Sequence, residues 1–473
     1  MGWKRAGTAA TQRGTHRVAL IGVALLAVLA LDNVLPVGAF PPTTWGSPTP
    51  LTGATFYPQM PKVTIDAAGT ATAVWAGGDE YYDRTILTST QRAGGSWTAP
   101  VTLADGGSEA VLAANSAGAA VAAWEGDDGV IRASSRAAGG DWAAATTISV
   151  GADAVAKASK VRVAVNESGD VITVWQQRDF PFERVWLARS SAGGAWEAPM
   201  PIALNVGDAD MRPDVAVDAS GDAVLAWMEG IPGATKVLAR TSMGPVWGPV
   251  IGLDAEAGVS AGSPSVAMDD AGDAVVVWGN SSTGLRSAMR PAGGGWSPAN
   301  EVAANGSAPA AIVIDPHGDT TVAWSTYTNT GLVVFAAHRT LTAPWSEPVA
   351  LSGPSATTMG SGPELSGNRV GDVTAVWEVR GGDPQRSSVL VSSRAAGGDW
   401  SPPSTLSLPE QDSSSAEVAI GADGDAVVAY LDRTFDALSP TSTVWTVRSP
   451  APPVPPSEPS IAPPVKLLPR FTG

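Results

Sequence analysis

One spacing recurs without variation along the chain. Turn glycines stand at Gly69, Gly118, Gly169, Gly221, Gly272, Gly318, Gly371 and Gly424. Six residues after each comes an aromatic: Trp75, Trp124, Trp175, Trp227, Trp278, Trp324, Trp377 and Tyr430. The mean period is about 51 residues, a length that marks a repeat architecture and overrides any estimate of domain count from length. A second series, Trp45, Trp97, Trp142, Trp196, Trp247, Trp296, Trp345 and Trp400, keeps step with the first. Together the two series take 15 of the 18 tryptophans.

Each unit reads as four strands. An apolar strand runs into an Asx-x-x-Gly turn, in which glycine takes positive φ and the Asx side chain bonds the turn backbone. The second strand, such as Ala274 to Trp278, is apolar on both faces, as a strand is when sheets are stacked against both sides. The third ends in a tight Gly-Gly turn. The fourth carries Trp and then Pro, which cannot donate to a ladder and so belongs on an edge. A four-stranded sheet buried everywhere but its edge is a propeller blade.

The count predicts an all-β, eight-bladed β-propeller over residues 40–449. The chain opens on a lone fourth strand at 45–51, while its last unit, 417–449, lacks one. The first strand is therefore expected to complete the last blade by pairing with Val444, Trp445, Thr446 and Val447. An open solenoid is the alternative, and it has no use for a unit split between the two ends.

The ends have their own chemistry. Lys4, Arg5, Arg13 and Arg17 precede a 14-residue apolar run at 18–31, and then Val37, Gly38 and Ala39. This is the order of a secretory signal over residues 1–39, and the run is short for a bilayer of about 30 Å. The expected address is secreted or extracellular, with an uncleaved membrane anchor as the alternative. Residues 450–473 are Pro-rich and read as an extended tail.

Composition narrows function. The net charge is −16, which argues against nucleic acid and anionic membranes. There is no Cys and there are only three His, so thiolate chemistry is excluded and a His-rich metal site nearly so. No cofactor and no metal are expected. The repeated acids Asp170, Asp222, Asp273, Asp319, Asp372 and Asp425 flank turns and read as structural.

The third turn carries a resemblance. Ser135 and Gly139 precede Trp142 at −7 and −3, as Ser393 and Gly397 precede Trp400; Gly94, Gly193 and Gly293 hold the same −3 place. This resembles the Asp-box, or bacterial neuraminidase repeat, Ser-x-Asp-x-Gly-x-Thr-Trp, of sialidase-like propellers. The box Asp is replaced here by Ala137, Ala395, Arg92, Ser191 and Pro291. The resemblance implies the propeller fold. Sialidases cleave sialosides with an arginine triad, a Tyr–Glu pair and an Asp acid/base, and no motif of this chain marks those positions.

Strand parity puts the short, uniform one–two and three–four turns on one face and the variable two–three and four–one loops on the other, where function is expected. The variable loops include 79–84, 176–184 and the acids Asp208, Asp210 and Asp214. The deepest polar pocket is expected near the axis on that face, lined by the residues after the first Trp series. The candidate ligand-binding residues are Arg84, Glu125, Gln176, Arg178, Glu378 and Arg380. The functional expectation is a non-catalytic module binding a glycan or an extracellular protein, acting as a monomer. A sialidase-type glycoside hydrolase and a structural envelope-associated repeat protein are the alternatives.

Overall fold

The computed structural model describes residues 44–53, 55–80, 83–151, 157–179, 182–205, 210–231, 233–254, 260–306, 309–329, 331–353, 362–381, 386–434 and 441–449. The expected leader and tail lie outside them, as do Tyr81, Tyr82, Phe180 and Asp208 from the variable loops.

Local rules build the repeat. All eight turn glycines have positive φ, from 72° at Gly69 to 95° at Gly272. Gly221 donates its N–H to the Asp218 carbonyl, and the Asp218 carboxylate accepts from the Ser220 and Asp222 N–H groups at 2.8 and 2.9 Å. The Asp after the glycine then reaches the other turn of its own blade. Asp170, Asp273 and Asp372 accept from the N–H of Ala192, Ala292 and Ala396. Those three residues each follow the place where an Asp-box would carry its own Asp, so the carboxylate is supplied from the neighbouring turn instead.

The turns space strands into blades. The third blade is typical: Ala158–Val165, Val171–Asp179, Phe182–Ser190 and Met200–Asn205 pair antiparallel in chain order. There are eight such blades. The closure expected from the split unit is present. Thr49 and Pro50 pair with Thr446 and Trp445 of the strand Thr441–Arg448, while Gly46 N–H bonds the Arg448 carbonyl at 2.9 Å and Leu51 N–H the Val444 carbonyl at 2.7 Å. The same strand also meets the start of the first blade, Thr55 opposite Ser442.

The core lies between blades. All eight aromatics of the first series are at most 2% exposed. Each packs on the preceding blade together with a partly buried Trp of the second series. Trp227 lies against Ile172, Val174 and Val185, with Trp247 beside it. Tyr430 lies against Val376 and Val389, and its companion is Trp45 from the closing strand. The second strands are sealed on both sides; Ala274–Asn280 is buried along its whole length.

Candidate functional site: the axial channel

The first strands of neighbouring blades touch one another around the whole ring, so they form the wall of the central channel. A cavity of about 570 Å³ lies within it, bounded by residues from all eight first strands. Those residues stand near the beginnings of the strands, which places the cavity toward the variable-loop face.

The repeat register organises the cavity wall. The residue seven places before each turn glycine lines the cavity in every blade. Five of the eight are ionisable: Lys62, Arg162, Asp214, Glu364 and Glu417. Val111, Ser265 and Ala311 complete the circle. Above this ring, Glu109, Glu125, Lys160 and Arg212 form a charged rim. Two of the chain's six lysines therefore face one cavity of a strongly acidic protein.

The ring is electrostatically coupled. Lys62 of the first blade bonds Glu417 of the last at 2.5 Å, an ion pair across the ring's closing seam. Burial pulls the Lys62 ammonium down, but Glu417 and then Glu364 outweigh it and hold its pKa above the usual value. Glu364 is pushed up to about 7, first by burial and then by the Glu417 charge, with Lys62 and Arg162 opposing. Asp214 is also raised by burial, with Arg162 and the Val266 N–H opposing; that N–H donates to Asp214 at 2.8 Å. The Arg162 guanidinium donates to the Val161 carbonyl and, among the described residues, has no ion-pair partner.

Backbone strain gathers at the same rim. Among the described residues, the non-glycine positions with positive φ are Glu109 (50°), Lys160 (58°), Arg212 (40°) and Ser415 (56°). All four lie at the starts of first strands, and three of them line the cavity. Such conformations cost on the order of 1–3 kcal/mol each and persist where surrounding structure enforces them, commonly at ligand sites. Here the enforcing groups come from the previous blade. Gln59 accepts from Glu109 N–H at 2.9 Å, Glu125 from Lys160 N–H at 2.6 Å, and Gln176 from Met211 N–H at 2.8 Å. Glu378 does the same for Ser415.

The opposite mouth is bridged. A smaller cavity, about 230 Å³, is lined by residues of the one–two turns. Arg369 of the seventh blade bonds Asp270 of the fifth and stands 3.7 Å from Glu167 of the third, diametrically across the ring. Glu167 also accepts from Ser116. Among the described residues, no group of three or more His, Asp or Glu is arranged to hold a metal ion.

The residues singled out from sequence fall into three places. Glu125 lines the cavity. Gln176 and Glu378 act as the inter-blade clasps just described, their side chains turned to a neighbour's backbone. Burial raises both glutamates, while the N–H groups they accept from oppose it. Arg178 pairs with Glu183 at 2.9 Å on the same hairpin. Arg84 and Arg380 bury an Nε nitrogen without a partner. The cavity is walled by first strands rather than by the starts of the two–three loops, because the first strand is the innermost of each blade. Asp214, noted as an acid of a four–one loop, belongs to the ring. Lys62, Arg162, Glu364 and Glu417 were not singled out. Aligning the repeats on the turn glycine and reading that column, charged within otherwise apolar strands, would have found them.

No known family model matches the chain, and no curated protein does. The sialidase resemblance therefore rests on the turn residues alone. Solved structures similar to this chain include a protein of unknown function from Dyadobacter fermentans, at 14% identity over 85% of this chain and 98% of the other, TM-score 0.40. Another is the Aleuria aurantia lectin in complex with alpha-methyl-L-fucoside, at 14% identity over 65% and 100%, TM-score 0.39. A third is the polysaccharide lyase Uly1, at 10% identity over 70% and 88%, TM-score 0.43.

Proposed function

We propose that this chain is a secreted, non-catalytic binding propeller that holds a hydrophilic ligand of the carbohydrate class in its axial channel. One observation carries this reading: a single register position supplies eight side chains to one cavity, and they differ in chemistry. A position kept for packing would repeat one residue type, as the first Trp series does. A position kept for a ligand presents each blade's own donor or acceptor. The cavity volume is within the range of small-molecule sites, roughly 300–1,000 Å³. Its carboxylates, cations and Ser265 hydroxyl suit a polyhydroxylated partner.

A second reading is a glycoside hydrolase of sialidase type. It is favoured by Glu364, whose carboxyl is held to about 7 beside Glu417. A carboxyl kept protonated near neutral pH is what the acid step of glycoside cleavage needs.

A glycan array run beside a fluorogenic sialoside assay tests both. Binding without turnover, weakened at least tenfold by Arg162→Ala, is the expected result. Turnover lost in Glu364→Gln would overturn the non-catalytic reading. Binding that survives Arg162→Ala unchanged would move the ligand out of the channel.

A further inference from the structure

The charges of the ring do not balance. Lys62 is committed to Glu417. Asp214 accepts the Val266 N–H, and Arg162 is among the charges acting on it. Glu364 remains. Among the described residues nothing donates to its carboxylate, and no ion pair reaches it, although it lines the cavity. The charges acting on it are Glu417 from the last blade, Lys62 from the first, Arg162 from the third and Asp214 from the fourth. The rim above adds Glu109 and Glu125 against Lys160, while Arg212 is paired with Asp210 at 2.9 Å, so the rim supplies no spare cation. A half-buried negative charge is therefore left over at the cavity wall, and partial burial without a protein donor makes it costly unless a cation or a proton meets it.

Resting on the reading that the channel is the ligand site, we propose that the ligand's anchoring group is a primary ammonium seated against Glu364, so that the saccharide taken is one bearing free amines. The ammonium supplies the three donors that the carboxylate lacks. Ser265 and Arg162, elsewhere on the ring, remain for the sugar hydroxyls. Competition with the proton follows. Glu364 is protonated up to about 7, so the ammonium must displace that proton, and acid weakens binding.

Calorimetric titration with a glucosamine tetrasaccharide, its fully N-acetylated counterpart and 1,5-diaminopentane tests the proposal. The amine-bearing sugar should bind, and its affinity should rise about tenfold between about pH 4.5 and about pH 5.5, where its amines stay charged while the carboxylate fraction grows. Glu364→Gln, checked for folding by its thermal melt, should lose most of this affinity and all of the pH dependence. Ser265→Ala, at the same level of the ring, should keep the pH dependence. Equal binding of the N-acetylated sugar, independent of pH, would overturn the ammonium seat while leaving the carbohydrate reading intact. Diaminopentane bound through Glu364 with no sugar bound would do the reverse. No binding by any of the three would overturn both.

Discussion

Glu364 has a consequence for stability that needs no ligand. Its carboxyl is held to about 7 in the fold, against 4.5 as its ordinary value. Between those pH values the native chain keeps a proton that the unfolded chain has released. The stabilisation is full below the lower value and is lost as pH rises through the upper one, a loss of about 3 kcal/mol. Glu364→Gln cannot ionise, so its melting temperature should match the native chain's near pH 5 and exceed it by a few degrees at pH 8. Parallel melting curves across that window would contradict the placement of this charge. The same residue shows why the site was hard to read from sequence. Gly221 announces itself because every blade repeats it, and Trp227 because every blade but the last does. Glu364 is repeated in kind only by Glu417; its other counterparts are Lys62, Val111, Arg162, Asp214, Ser265 and Ala311. A search for recurring letters passes over a column whose use is to differ. Gln176 and Glu378 drew attention for the opposite reason: they are polar and variable, yet they are used to hold strained backbone.

Among the elements, the closing strand joins the two ends of the chain. It brings Trp45 into the interface of Tyr430, Val376 and Val389, and its backbone satisfies the edge of Thr441–Arg448. Losing a fully buried tryptophan costs about 3–5 kcal/mol and the partly buried Trp45 less, while the stranded backbone bonds add about 1 kcal/mol each. Deleting residues 45–51 should therefore lower the melting temperature by many degrees and expose a pairing edge prone to self-association. An unchanged melt would show that the ring does not depend on this strand. The element level was the most legible in sequence. Turn glycines, double-faced apolar strands and edge prolines each follow from backbone sterics, and the split unit left one way to pair the ends. What the pattern did not convey was the bulged start of several first strands. The register breaks between Ser108 and Val111, Ser159 and Arg162, and Ser414 and Glu417 arise from contacts with the previous blade, which no local signal encodes.

At the scale of the whole molecule, the ring is locked by contacts between its two ends. Thr49 meets Thr446, 397 residues away, and Lys62 meets Glu417 over the same seam. A chain ending at residue 440 would keep most blades but lose both partners of the closing strand. It should be cleaved rapidly under conditions that spare the full chain, and comparable resistance in limited proteolysis would show that the seam is not the lock. The seam also sets a clock. Ribosomes add roughly 5–20 residues per second. The strand at Thr49 must therefore wait about 20–80 s for its partner to be made, its tryptophan and edge unclaimed through that interval. Until the final strand emerges, that edge stays open to pairing with any other strand that meets it.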